Sequence, residues 1–146
     1  MEPRISIVTL GVSDLDRSTQ FYRDGLGFPE HAAGSDSITF FLLGEMMLAL
    51  YPLDAFAAEA YPGLTVPLKS GPHAFTFAHN VASRAEVDLV LAKAAAAGAH
   101  IIKPASDTFW GGYSGYFSDP DGFRWEIATG SGLPVEPSSG QETLAG

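Results

Sequence analysis

The sequence predicts an α+β fold made of two copies of one unit, strand–helix–strand–strand–strand, whose curved mixed sheets enclose a cup-shaped cavity. Three observations carry this. Runs of β-branched and aromatic residues are interrupted by only two good helical stretches. The order of elements starts again after a proline-punctuated connector in mid-chain, a repeat of pattern rather than of identity. A four-stranded sheet with one helix on its back cannot bury both faces alone, and a second unit beside it can. The 146 residues, 46 % hydrophobic, are enough for one domain with a real core.

In the first unit, Arg4 to Gly11 (RISIVTLG) is β-branched and ends at glycine, as a strand does. Ser13 or Asp14 then caps a helix, Asp16 occupies its first turn, and Gly25 or Gly27 closes it. Leu15, Phe21, Tyr22 and Leu26 fall on one face, the pattern of a helix packed on a sheet. A weak strand is expected around Phe28 to Ala33. Ser37 to Leu43 (SITFFLL) and Met46 to Tyr51 (MMLALY) are stronger strands joined by Gly44-Glu45. Leu53 to Gly71 is a connector with room for a short helix at Asp54 to Ala60. Pro62, Pro67 and Pro72 stop anything longer.

The second unit opens with His73 to Phe77 (HAFTF), a strand. Ser83 and Glu86 have the spacing of a capping box, and the helix they start stops at Gly98. Ile101-Ile102 reads as a short strand ended by Pro104. Phe109 to Glu126 supplies two more strands around Asp119-Pro120-Asp121-Gly122. Proline pre-sets the second position of a turn, and Asp and Gly suit the others. The units span about 4–52 and 72–128 of one domain, 1–130. Residues 131–146, rich in Gly, Ser and Pro, read as a tail.

Composition narrows the function. No run approaches the roughly 20 apolar residues of a membrane helix, and the N-terminus does not read as a signal peptide. Without cysteine there is no disulfide, thiolate metal site or thiol nucleophile, which fits a cytoplasmic protein. A net charge of −9 repels phosphate backbones, so nucleic acid is not the expected partner. The same field favours a cationic ligand.

These motifs resemble the glyoxalase/bleomycin-resistance/dioxygenase superfamily, also called vicinal oxygen chelate. The matching residues are Val12-Ser13-Asp14-Leu15 with Ser18, Phe21-Tyr22 and Gly25-Leu26-Gly27. In the second unit they are the strand from His73, the helix ending Ala97-Gly98-Ala99, and Asp119-Pro120-Asp121-Gly122 through Glu126. The resemblance implies the fold over nearly all of the chain to about residue 128. It leaves the reaction open, since members isomerise, cleave rings, open epoxides or only bind drugs. It also implies a homodimer, because many relatives place the cup between subunits.

In metal-using members, four strand positions hold one divalent ion. The resemblance carries them onto Ile7, Ala49, His73 and Glu126. Only His73 and Glu126 could donate, whereas a catalytic site normally takes three protein ligands. No metal or other cofactor is therefore expected. His79, though on the parity of His73, is about 20 Å away at strand rise.

If the carried-over positions face inward, alternation lines the cup with Ile5, Ile7, Thr9, Met47, Ala49 and Tyr51. The second unit adds His73, Phe75, Phe77, Arg124, Glu126 and Ala128. An apolar hollow with a few polar groups is the usual make-up of a small-molecule site. His73 and Glu126 either anchor a ligand, act as an acid–base pair, or make a structural hydrogen bond, with Arg124 as another partner for Glu126. Trp110 and Tyr113, around two glycines, either stack on a planar or cationic ligand or pack as an aromatic edge. Asp107 and Tyr116 are weaker candidates. The expected function is metal-independent binding of an aromatic or cationic small molecule. The alternative is a glyoxalase- or dioxygenase-like enzyme using His73 and Glu126 with a divalent metal.

Overall fold

A computed structural model of the chain describes residues 1, 3–72, 76–130 and 132. Three helices and seven strands follow in the order β1 (Ile7–Val12), α1 (Leu15–Gln20), β2 (Thr39–Leu43), β3 (Met46–Pro52), α2 (Leu53–Ala60), β4 (Phe77–Asn80), α3 (Arg84–Ala96), β5 (His100–Asp107), β6 (Tyr113–Ser118) and β7 (Arg124–Thr129). They make two open sheets, β1-β3-β2 and β4-β7-β6-β5. Each is mixed in the same way. The opening strand of the unit runs parallel to its neighbour, β1 on β3 and β4 on β7, and the other pairs are antiparallel. The repeat of pattern is thus a repeat of topology.

The local signals explain the helices. Asp14 is the cap of α1, accepting from the Arg17 N–H, and a π-helical turn, Phe21–Gly25, continues it. Ser83 and Glu86 form the full capping box of α3. α2 covers the short helix expected in the connector. Two strands differ from expectation. The segment around Phe28 to Ala33 is reduced to an isolated bridge, Glu30 to Phe41. Pro29 has no N–H to give, and a turn at once returns the Gly34 N–H to the His31 carbonyl. Conversely, β5 runs straight through Pro104. It is an edge strand, and its pairing with β6 slips on either side of Lys103, so no ladder bond is asked of the proline.

The two units are joined through their inner, helix-bearing faces. Phe21, Tyr22, Phe41, Phe117 and Trp125 are buried there, with rings 5.1 to 6.4 Å apart in tilted, stacked or edge contacts. Gly25 lets the end of the first helix meet the end of α3: a Cβ there would lie 2.4 Å from the Ala97 methyl.

The Asp119–Gly122 turn does more than reverse the chain. Gly122 takes φ +93°, and its N–H returns to the Asp119 carbonyl. The Asp119 side chain is a buried acceptor for the Tyr22 hydroxyl at 2.7 Å and for the N–H groups of Asp121 and Phe123. Trp125 Nε1 in turn donates to the Tyr22 oxygen at 3.2 Å. Asp121 reaches across to the first unit, accepting from the Ser13 N–H and hydroxyl and from the Ser18 hydroxyl. Burial pushes the Asp119 pKa up, against the opposing pull of the Tyr22 and backbone donors. Burial also works against the Asp121 carboxylate, but donors from Ser13, Ser18 and Ser70 outweigh it and hold its pKa below the usual value. Two aspartates of one turn are therefore the polar joint between the units.

Candidate functional site

The strand registers decide which side chains share each sheet's outer face. In the first sheet Ile7 pairs with Met47, Thr9 with Ala49 and Gly11 with Tyr51, while Phe40 and Leu42 of β2 oppose Ala49 and Met47. These residues share the outer face, and Val8, Leu10, Leu48 and Leu50 turn to the core. α2 lies across this face against β1 and β3. Between helix and strands is a cavity of about 590 Å³, walled by Ile7, Thr9, Ile38, Phe40, Tyr51 and Phe56. Glu59, near the end of α2, is the charged residue in its lining. Met47 lies on the same face but outside this cavity, beside half-exposed Ile7 and Leu42.

The outer face of the second sheet is different in kind. Glu126 is half-buried and flanked by Ala78 of β4 and Tyr116 of β6. The Tyr116 hydroxyl donates to Glu126 Oε2 at 2.6 Å, and that bond, with some burial, pushes the phenol pKa up to about 12. Glu126 thus takes Tyr116 as its partner rather than Arg124, which is exposed on the same face. Ser114 and Ser118 flank Tyr116 on that face, opposite Ala128 and Arg124.

Of the expected ligand contacts, Thr9 and Tyr51 line the first-sheet cavity. Glu126 and Arg124 share the second outer face. Trp110, 39 % exposed, lies over Gly112, where any Cβ would strike its ring. Two expectations need correction. Phe77 pairs with Trp125, one residue off Glu126, and stacks on the Trp125 ring at 4.7 Å on the inner side of the sheet. Tyr113 pairs with Thr129 on that same side. Its hydroxyl donates to Asp88 and its ring lies under the Arg84 guanidinium, both on α3. Arg84 also pairs with Asp107, which is exposed at the end of β5. His73 and Phe75 lie outside the described residues. His79 is exposed on the face opposite Glu126, as the partner of Ile127.

Sequence reasoning missed Phe40, Ile38, Phe56 and Glu59 of the cavity, and Tyr116 as the partner of Glu126. Alternation already put Phe40 a strand's width from Ala49, but nothing local says that α2 folds back over it.

Of the four positions that hold a metal in relatives, three lie among the described residues. Ile7 and Ala49, diagonal neighbours on the outer face, have no donor atom, Glu126 lies in the other sheet, and His73 is outside the described residues. Among the described residues no group of three His, Asp or Glu side chains converges. No helix among them is long and apolar enough to cross a membrane.

This architecture defines a class: two-unit α+β proteins built on open mixed sheets. The model of the Glyoxalase/Bleomycin resistance protein/Dioxygenase superfamily matches residues 4–127, and the chain belongs to that superfamily. A search of the curated proteins finds no match. Among solved structures, a glyoxalase-related enzyme from Fulvimarina pelagi is 30 % identical, with TM-score 0.82 over 92 % of this chain and 94 % of its own. A lactoylglutathione lyase from Agrobacterium tumefaciens is 25 % identical, with TM-score 0.66 over 90 % and 98 %. A genomically encoded fosfomycin resistance protein from Listeria monocytogenes is 26 % identical, with TM-score 0.67 over 90 % and 96 %.

Proposed function

We propose that this chain is a metal-independent small-molecule-binding protein that holds an aromatic, cationic ligand on the outer face of its first sheet. The observation that carries this is the cavity between α2 and the first sheet. Phe40, Tyr51 and Phe56 offer aromatic surface, and Glu59 offers a single negative charge. A cation among aromatic rings gains by cation–π attraction and by pairing with the carboxylate. The net charge of −9 favours the approach of such a ligand. Ile7 and Ala49, standing where relatives place metal ligands, favour binding without a metal.

The binder acts in the cytoplasm as a homodimer. Ile5, Ile7 and Leu42 are 65 %, 47 % and 45 % exposed on or beside the first outer face, and a second copy would cover them. A second reading rests on Glu126. A half-buried carboxylate held by a phenol can serve as an acid–base or ligating group, and a lactoylglutathione lyase is among the similar structures. On that reading Glu126 and His73 would act with a divalent metal in lyase, isomerase or oxygenase chemistry.

Thermal-shift screening separates the two. Cationic aromatics should raise the melting temperature, and glutathione adducts should not. Elemental analysis of protein purified without chelator should find no stoichiometric metal. A stoichiometric Ni, Zn, Fe or Mn signal that disappears in Glu126→Gln would replace the binder with the enzyme.

A further inference from the structure

Beneath α2 lies a second, smaller and more enclosed cavity of about 210 Å³. It is separate from the ligand cavity proposed above and shares only Thr9 and Phe56 with it. Its floor is Gly11, where a Cβ would come within 2.9 Å of both Leu53 and Phe56, so α2 sits directly on the strand. Its apolar walls are Leu53, Phe56 and Leu68 from the first unit and its connector, with Phe123 from the second. Among the described residues no Asp or Glu lines it, whereas the larger cavity carries Glu59. Among the described residues its one charged side chain is Lys69, which is exposed and without an ion pair. Thr9, Tyr61 and Ser70 are the further polar residues of the lining. The Asp121 carboxylate is buried and taken up by Ser13, Ser18 and Ser70.

We propose that this cavity between α2, Leu68–Ser70 and Phe123 binds a small monocarboxylate with an apolar ring or short tail, its carboxylate on Lys69. The space falls below the roughly 300–1,000 Å³ of drug-sized sites, so the occupant is a fragment-sized molecule. Burying its apolar part removes surface from water, and a charge-assisted ammonium–carboxylate contact is stronger than a neutral hydrogen bond. A cationic or dianionic molecule does not fit this lining. The first finds no carboxylate, and the second leaves a charge without a partner.

The probes are benzoate and its neutral isostere benzamide, titrated into the full-length protein and followed by amide chemical shifts. Benzoate should bind about tenfold more tightly than benzamide and shift amides of residues 53–56 and 68–70. Lys69→Met should remove that preference, with wild-type circular dichroism and melting temperature. Phe40→Ala, which touches only the larger cavity, should leave benzoate binding unchanged. Equal affinity for the two probes, a preference that survives Lys69→Met, or no binding of benzoate at about 10 mM would overturn the proposal. Because Phe40 and Lys69 belong to different cavities, failure here leaves the first-sheet reading standing, and the reverse also holds.

Discussion

The two outer faces descend from the same topology and have been filled with opposite chemistry. On the first sheet, Ile7, Thr9, Ala49, Tyr51 and Phe40 leave a roomy, largely apolar hollow under α2. On the second, Tyr116 and Glu126 close on each other at 2.6 Å among Ser114, Ser118 and Arg124. The lesson is that one backbone plan can separate space from charge. The face with room has one carboxylate at its edge, and the face with an organised carboxylate spends it on a neighbouring phenol. A chemical step that needed both would need them brought together, and the two sheets do not share a strand pair.

The comparison depends on the joint that sets the sheets relative to one another, and breaking that joint should have the largest effect. Asp119→Ala removes the acceptor of the Tyr22 hydroxyl and of two N–H groups in a buried setting. It should cost about 3 kcal/mol of unfolding free energy, read from urea denaturation. Asp121→Asn keeps the shape of the joint and should cost about 1–2 kcal/mol at neutral pH. Its pH dependence has a definite sign. The folded pKa of Asp121 is held below the ordinary 3.8, so its stabilisation is present above that value and fades as pH falls below it. Wild type and Asp121→Asn should therefore converge in stability as the pH is taken down from 5 to 2, measured by denaturation at each pH.

Smaller effects sharpen the contrast between the faces. Tyr51→Ala should weaken a cationic aromatic by about tenfold in calorimetric titration, while Glu126→Gln should change it by less than about twofold. On the second face, Glu126→Gln should bring the Tyr116 phenol down from about 12 toward 10, seen as earlier ionisation in an ultraviolet pH titration. An unchanged titration would mean that the phenol and the carboxylate are not paired in solution.

Much of the fold was legible because its signals are local. The Ser83–Glu86 capping box, the Asp14 cap and the Asp119–Gly122 turn each act within four residues. Alternation along β1 and β3 correctly grouped Thr9, Met47 and Tyr51 on one face. For Tyr113 the sequence leaves ligand stacking and edge packing both open, although a signal that separates them exists. The Asp119–Gly122 turn sets the β6–β7 register, which puts Tyr116 opposite Glu126 and Tyr113 opposite Thr129. Phe77 had no such signal, since its register depends on a parallel pairing with β7, some fifty residues away in the chain. The cavity was legible only as half a wall. That α2 folds back on Gly11 and carries Phe56 and Glu59 over the sheet is a tertiary fact, which a short, alanine-rich helix does not announce. The second role of Asp119 and Asp121 was hidden by the first, because turn chemistry alone accounts for their presence.

The most direct measurement is calorimetric titration of phenyltrimethylammonium into protein held in excess chelator. The account predicts saturable binding at one site per chain, unaffected by chelator and lost on combining Tyr51→Ala with Glu59→Gln. Binding that appears only when a divalent ion is restored, or that is lost in Glu126→Gln and kept in the double variant, would contradict it.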